Sequence, residues 1–300
     1  MKHLIDITHL TKAQIEHLIQ TALNFKKNNL ANFHSDVLQG QVVAKLFFEP
    51  STRTRNSFEI AAYRLGAFVI SPDMKESALV KGETFLDTIK TLEAMGVHAC
   101  VIRHAEDGVI QKLAENTQKM AIINAGDGSN QHPTQALIDL MTIYEHQQNW
   151  QHLIVSIIGD VKYSRVARSL IQALTIMGVK HIRVIAPQEL LPRELADNVQ
   201  VFNNLNSGLV DADVVVCLRL QKERMTSSAK LNVDAFSEKF CLTEKKLALA
   251  KKSALVLHPG PMNRDIEIAS NIADGPQSAI LKQVENGIAI RMSVLQWCLI

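Results

Sequence analysis

The densest set of hydrogen-bond donors in the chain is Glu49-Pro50-Ser51-Thr52-Arg53-Thr54-Arg55, with three hydroxyls and two guanidiniums inside five residues. It follows an apolar run, Val42 to Phe48, and leads into helical spacing through Phe58, Ala62 and Leu65. A helix that opens straight off a strand turns its unbonded N–H groups and positive end outward. Guanidinium forks and hydroxyls at that end suit a phosphate. A capped helix with solvated arginines is the purely structural reading, but one cap does not require the whole run.

Other clusters carry similar chemistry. They are Val101-Ile102-Arg103-His104, His132-Pro133-Thr134-Gln135, Gly159-Asp160-Val161-Lys162 with Ser164-Arg165, Arg219-Leu220-Gln221, and His258-Pro259-Gly260-Pro261. A further loop reads Ser77-Ala78-Leu79-Val80-Lys81-Gly82-Glu83. Taken singly, each has a bland reading. His132 can be a helix N-terminal residue, Lys81 a solvated lysine, and Arg219 a strand-end side chain that snorkels. Together, Arg53, Arg103, Arg165, Arg219 and Lys81 supply five cations. Such a set makes it affordable to bring several anions into a low-dielectric site. The Gly159 segment lacks G-x-G-x-x-G spacing, so no dinucleotide cofactor is indicated, and no metal-ligand spacing occurs.

The elements that must hold these clusters alternate. Thr11 and Gln14 fit a capping box ahead of a stripe of Ile15, Leu18, Ile19, Ala22 and Leu23. Strand-like runs lie at 42–48, 67–71, 98–103 and 121–126, with helices expected over about 83–95 and from Pro133 to about 145. A second series has strands in LIVSIIGD, HIRVIAP, DADVVVCLRL and SALVLHPGP, and helices over about 164–177 and 242–251. Pro276 is expected to open a long final helix carrying Ile280, Val284, Ile288, Met292 and Leu295. This alternation predicts an α/β fold of two domains, each a parallel β-sheet flanked by helices. The expected division is 1–132, joined by a C-terminal helix over 285–300, and 133–284. The clusters then fall at the carboxyl ends of strands, where open α/β sheets bind ligands.

Read in order, the motifs resemble those of the aspartate and ornithine carbamoyltransferase family from end to end. Within it, three features resemble the aspartate branch: the Ser77–Glu83 loop, the Arg219/Gln221 pair, and a His-Pro-Gly-Pro motif with no cysteine where ornithine enzymes carry one. The resemblance implies carbamoyl transfer from carbamoyl phosphate to L-aspartate in pyrimidine synthesis. It places Ser51, Thr52, Arg53 and Thr54 on the phosphate, and Arg103 across the phosphate and carbamoyl group. His132 and Thr54 would polarise the carbamoyl oxygen, while Gln135 and the backbone of Gly260 and Pro261 orient the carbamoyl NH₂. Arg165 and Arg219 would clamp the aspartate carboxylates with help from Gln221. Ser77 and Lys81 would come from a neighbouring subunit of a homotrimer, so that Arg53, Thr54, Arg103, His132 and Lys81 form the catalytic set. No cofactor is implied. A regulatory chain or dihydroorotase partner is neither indicated nor excluded. Asp265 departs from the family, many members of which carry glycine there.

Composition agrees with an enzyme of this kind. A net charge of +2 gives no footprint for nucleic acid. The N-terminus lacks the apolar core of a signal peptide, and no run of 18 apolar residues suggests a membrane span. Cys100, Cys217, Cys241 and Cys298 are scattered, as expected of reduced, buried thiols in the cytoplasm. A non-catalytic scaffold of the same family would be marked by degraded site motifs; here the polar positions are intact. Transfer to ornithine or another amino acid is the alternative within the family.

Overall fold

The computed structural model describes residues 2–73, 82–221 and 232–300. Ser77 and Lys81 lie outside the described residues. The chain divides into two compact units, Met1–Ile138 with Val284–Ile300, and Asp139–Gln283.

In the first unit, α1 (Lys12–Lys27) starts at Thr11, whose hydroxyl and Gln14 form the reciprocal capping box expected from sequence. Then come β1 (Val42–Phe47), α2 (Thr52–Arg64), β2 (Phe68–Ile70), α3 (Phe85–Ala94), β3 (Ala99–His104), α4 (Val109–Glu115) and β4 (Ala121–Asp127). The four strands form one parallel sheet in the order β2-β1-β3-β4. β4 is buried along its whole length, as a strand covered on both faces must be. Leu46, Cys100, Ile102, Ile110 and Ile122 form its core.

The helix α5 (Pro133–His146) runs across the division at residue 138. The second unit continues with β5 (Ile154–Ile158), α6 (Arg165–Met177), β6 (His181–Ile185), β7 (Val199–Phe202), α7 (Leu205–Gly208), β8 (Val214–Cys217), α8 (Val233–Phe240), α9 (Glu244–Leu247), β9 (Leu255–Leu257) and α10 (Ser270–Ala273). Its five strands are all parallel, in the order β7-β6-β5-β8-β9. The last helix, α11 (Ile280–Leu299), crosses back at residue 284.

Two expectations need correction. Pro276 does not open the final helix. Residues 277–279 instead bond to β9, with Val256 N donating to Gln277 O at 2.8 Å and Ala279 N to Val256 O at 2.8 Å. Those strand-edge bonds hold the chain extended, so α11 begins at Ile280. The helix expected over 242–251 shrinks to α9, because Leu242 bridges Ile268 and Lys251 N donates to Ala212 O at 3.1 Å. All four cysteines are free and buried, as expected.

Candidate active site

Strand register sets the first unit's site. Phe47 of β1 lies beside Arg103 of β3, and His104 beside Asp127 of β4. The carboxyl ends of three strands therefore present the 49–55, 103–104 and 128–135 segments side by side. Ser51 is the N-cap of α2, yet its hydroxyl makes no capping bond. Thr54 is buried in the first turn, while Thr52 and Arg53 are exposed. Ser57 Oγ donates to Arg53 O at 2.6 Å, which tightens that turn.

The helix is fixed to the sheet by an ion. Lys45 is buried within β1, and its Nζ pairs with Glu59 of α2. A buried ammonium on an otherwise apolar strand is costly unless paired, and this pair ties the middle of α2 to β1. Arg103 sits at a register irregularity between β3 and β4, a feature that re-aims a side chain. Its Nε is 3.1 Å from Glu49 Oε2, and Nη1 donates to Ala125 O at 3.3 Å. His132 and Gln135 are both buried at the start of α5, and His132 O accepts from Gln135 N at 3.0 Å. Gly128 precedes them with φ +47, and a Cβ there would lie 1.8 Å from Asp107 Oδ1. Only glycine passes that point.

The sequence reading missed Arg291. This α11 residue is 4% exposed, and its guanidinium lies 5.1 Å from the Phe58 ring of α2. Nη1 donates to Gly287 O at 3.1 Å. Burial, and then the charge of Arg103, pushes Arg291 down to about 9. It read as one polar position in an apolar helix, and no spacing rule marked it as part of a basic cluster.

The second unit is built on the same plan. Ile158 of β5 pairs with Cys217 of β8, and Val216 of β8 with Leu257 of β9. The segments 159–165, 218–221 and 258–261 leave adjacent strand ends. Gly159 has φ +111, and a Cβ would come within 2.8 Å of Leu218 O. Asp160 is fully buried; its Oδ1 accepts from Tyr163 N and its Oδ2 from Gln221 N, both at 3.1 Å. One carboxylate thus joins the turn before Arg165 to the segment that carries Arg219. Gln221 Nε2 reinforces the join by donating to Tyr163 O at 2.9 Å. Ser164 caps α6, accepting from Ala167 N at 3.2 Å, which leaves Arg165 in the first turn, buried. Gly260 and Pro261 follow β9 with a cis bond between them.

The sites so defined have two chemistries. The first unit offers hydroxyls, arginines, a histidine and a helix N-terminus, a set suited to a phosphorylated carbonyl. The second offers two arginines on loops whose backbones one buried carboxylate joins, suited to a dicarboxylate. Among the described residues, no group of three or more His, Cys, Asp or Glu could hold a metal ion.

Known proteins match this chain throughout. The family model "Aspartate/ornithine carbamoyltransferase, carbamoyl-P binding domain" matches residues 2–145, and "Aspartate/ornithine carbamoyltransferase, Asp/Orn binding domain" matches 151–298. The aspartate carbamoyltransferase catalytic subunit of Coxiella burnetii (strain Dugway 5J108-111) is 52% identical over 296 residues, covering 98% of this chain and 95% of that protein. The aspartate transcarbamoylase of Trypanosoma cruzi, solved with carbamoyl phosphate and aspartate, superposes with a TM-score of 0.89 at 30% identity, over 98% of this chain and 96% of its own. The ornithine carbamoyltransferase of Pyrococcus furiosus gives 0.89 at 27% identity, over 98% and 96%.

Proposed function

The chain belongs to the aspartate/ornithine carbamoyltransferase family, and we propose that it transfers the carbamoyl group of carbamoyl phosphate to the amine of L-aspartate. The products are N-carbamoyl-L-aspartate and phosphate, in pyrimidine biosynthesis. One observation carries the choice of aspartate: the Asp160 carboxylate ties the Arg165 turn to the Arg219–Gln221 segment. Two arginines suit two carboxylates, whereas ornithine brings a cationic side chain that they would repel.

Residues 1–138 with 284–300 bind carbamoyl phosphate and residues 139–283 bind aspartate. Ser51, Thr52, Arg53 and Thr54 hold the phosphate, supported by the helix N-terminus. Arg103, His132 and Thr54 face the carbamoyl oxygen. Gln135 and the carbonyl groups of Gly260 and Pro261 accept from the carbamoyl NH₂. Arg165, Arg219 and Gln221 hold aspartate, with Lys81 reaching both substrates. The neutral amine attacks the carbamoyl carbon, and the C=O electron pair moves onto oxygen. The oxyanion collapses, the C–O bond to phosphate breaks, and the departing phosphate takes the amine proton. Positioning and preorganised positive charge supply most of the rate.

The active form is a homotrimer in which Ser77 and Lys81 serve a neighbouring subunit. Tyr63, Phe68 and Met95 support this, being large apolar side chains 66–74% exposed on the first unit; light scattering should give three chains per particle. The working compartment is the cytoplasm, in keeping with four buried free thiols. The activity is tested by incubating the purified chain with carbamoyl phosphate and either amino acid. Carbamoyl-aspartate alone is expected, and citrulline would overturn the specificity.

A further inference from the structure

Two carboxylates of the first unit hold the turn that leads to His132, and neither belongs to the set that faces substrate. The sheet does not place that turn, because β4 ends at Asp127 and residues 128–131 lie beyond it. Two segments take hold of each other instead. From 104–108, Asp107 Oδ1 accepts from Ser129 N at 2.6 Å and Oδ2 from Ser129 Oγ at 3.0 Å. From 127–130, the Asp127 carboxylate accepts from Gly108 N at 3.0 and 3.1 Å, and its Oδ2 also from Asn130 Nδ2 at 3.0 Å. Gly128 N donates to His104 O at 2.9 Å between them. Asp107 reaches Ser129 by crossing Gly128, where a Cβ would stand 1.8 Å from Oδ1. The turn closes through Asp127 N, which donates to Gln131 O at 2.9 Å, and His132 follows directly.

We propose that Asp107 and Asp127 form a reciprocal clasp that sets the Arg103 end of β3 against the His132 start of α5, making Asp107 a positioning residue for carbamoyl transfer. It acts through the Gly128–Ser129 peptide, whose N–H it holds. The two carboxylates differ in burial. Asp127 is 3% exposed, so its loss would unsettle the fold. Asp107 is exposed, and a hydrogen bond there adds little stability because water can take its place. Water satisfies Ser129 N without tying it to residue 107, so the bond matters more to alignment than to folding. Two groups that must meet on one carbonyl oxygen are sensitive to such slack, and a misplacement of about 1 Å can cost about 10²-fold in rate. The inference rests on the proposed activity, in which Arg103 and His132 face the carbamoyl oxygen while the start of α2 holds the phosphate. Turnover therefore needs the clasp, whereas binding of inorganic phosphate does not.

Asp107→Ala and Asp107→Asn, each in the full chain, separate alignment from folding. Alanine removes both acceptors, while asparagine keeps one oxygen, enough for Ser129 N. The readouts are kcat with carbamoyl phosphate and saturating L-aspartate, the Kd of inorganic phosphate by calorimetric titration, and Tm. Asp107→Ala should lower kcat at least about tenfold, and Asp107→Asn should stay within about threefold of the parent. Phosphate affinity should hold within about twofold in both, and Tm should fall by no more than about 4 °C. A kcat loss below about threefold in Asp107→Ala, or equal losses in the two variants, would overturn the inference. So would a larger fall in Tm with phosphate binding weakened in step, the mark of a purely structural role. A parent that binds phosphate but transfers no carbamoyl group would overturn the proposed activity instead.

Discussion

Replacing Asp160 with alanine tests how the aspartate half-site is held. The carboxylate is fully buried and accepts from two backbone N–H groups, Tyr163 N and Gln221 N, each at 3.1 Å. Alanine leaves both part-buried donors without it, and an orphaned donor costs about 1–3 kcal/mol. The loss is then about 4 kcal/mol, and about 2–4 °C per kcal/mol for a domain of this size gives a fall in Tm of about 8–16 °C. The kinetic consequence is more specific. Gln221 N loses its anchor, so the Arg219 segment is freed from the turn before Arg165, and KM for aspartate should rise at least about tenfold. Carbamoyl phosphate affinity should change by less than about twofold, because its phosphate is held by the other unit. Asp160→Asn keeps one acceptor and should lose about half as much stability. Differential scanning calorimetry and initial rates against each substrate decide the matter. If Tm falls as calculated while KM for aspartate stays at its parental value, Asp160 is structural and the positioning argument is wrong. If Tm does not move, the two bonds are not worth what burial implies.

Arg53→Ala or Arg103→Ala should each reduce turnover by at least about 10²-fold, the scale for one lost oxyanion or phosphate donor, and near-normal rates in either would remove it from the catalytic set. Gly159→Ala should cost at least about 2 kcal/mol in denaturant unfolding, since φ is +111 and the new Cβ would meet Leu218 O at 2.8 Å; a neutral result would mean the turn can re-form elsewhere. Arg291, pushed down to about 9 by burial and then by Arg103, carries a buried charge that opposes folding at neutral pH. Above pH 9 the folded chain sheds that proton before the unfolded chain does, so the parent gains stability as pH rises. Arg291→Met should therefore raise Tm at pH 7, and that advantage should begin to narrow as pH rises above 9; a lower Tm at pH 7 would show that the charge is compensated.

Much of the fold was legible because parallel α/β units announce themselves through apolar runs and caps. Thr11 and Gln14 fixed the start of α1, and Val42–Phe48 stood out as a run too short for a helix. The elements left out carry weaker signals. β7 is an edge strand of four residues with its middle pair exposed, so Val199-Gln200-Val201-Phe202 alternates too briefly to register. α8 was also left out, although Asn232 caps it and Phe236 and Phe240 lie one turn apart, their rings stacked at 5.3 Å. The start of α11 was not readable, because residues 277–279 are committed to a strand partner about twenty residues upstream, and periodicity holds no record of such pairing.

For the site, the motifs mark more positions than ligands need, and the structure divides them by role. In Gly159-Asp160-Val161-Lys162 the glycine makes room for Leu218 O and the aspartate joins two loops. In His258-Pro259-Gly260-Pro261 the histidine fixes the peptide that follows it. These residues are polar, fully buried and bonded mainly to backbone, which is how a charge-handling loop is held without spending its own side chains. Lys45 does the same for α2 from inside an apolar strand, where sequence pattern reads it as a fault. Asp265 shows the limit of reasoning by resemblance. Its φ of +64 is the conformation that glycine would adopt there, but the carboxylate also accepts from Ser270 N and Ser270 Oγ, each at 2.9 Å. Aspartate tolerates the left-handed region better than most side chains do. The departure therefore replaces backbone freedom with two hydrogen bonds, and the turn that carries Asn263 and Glu267 is preserved by different means.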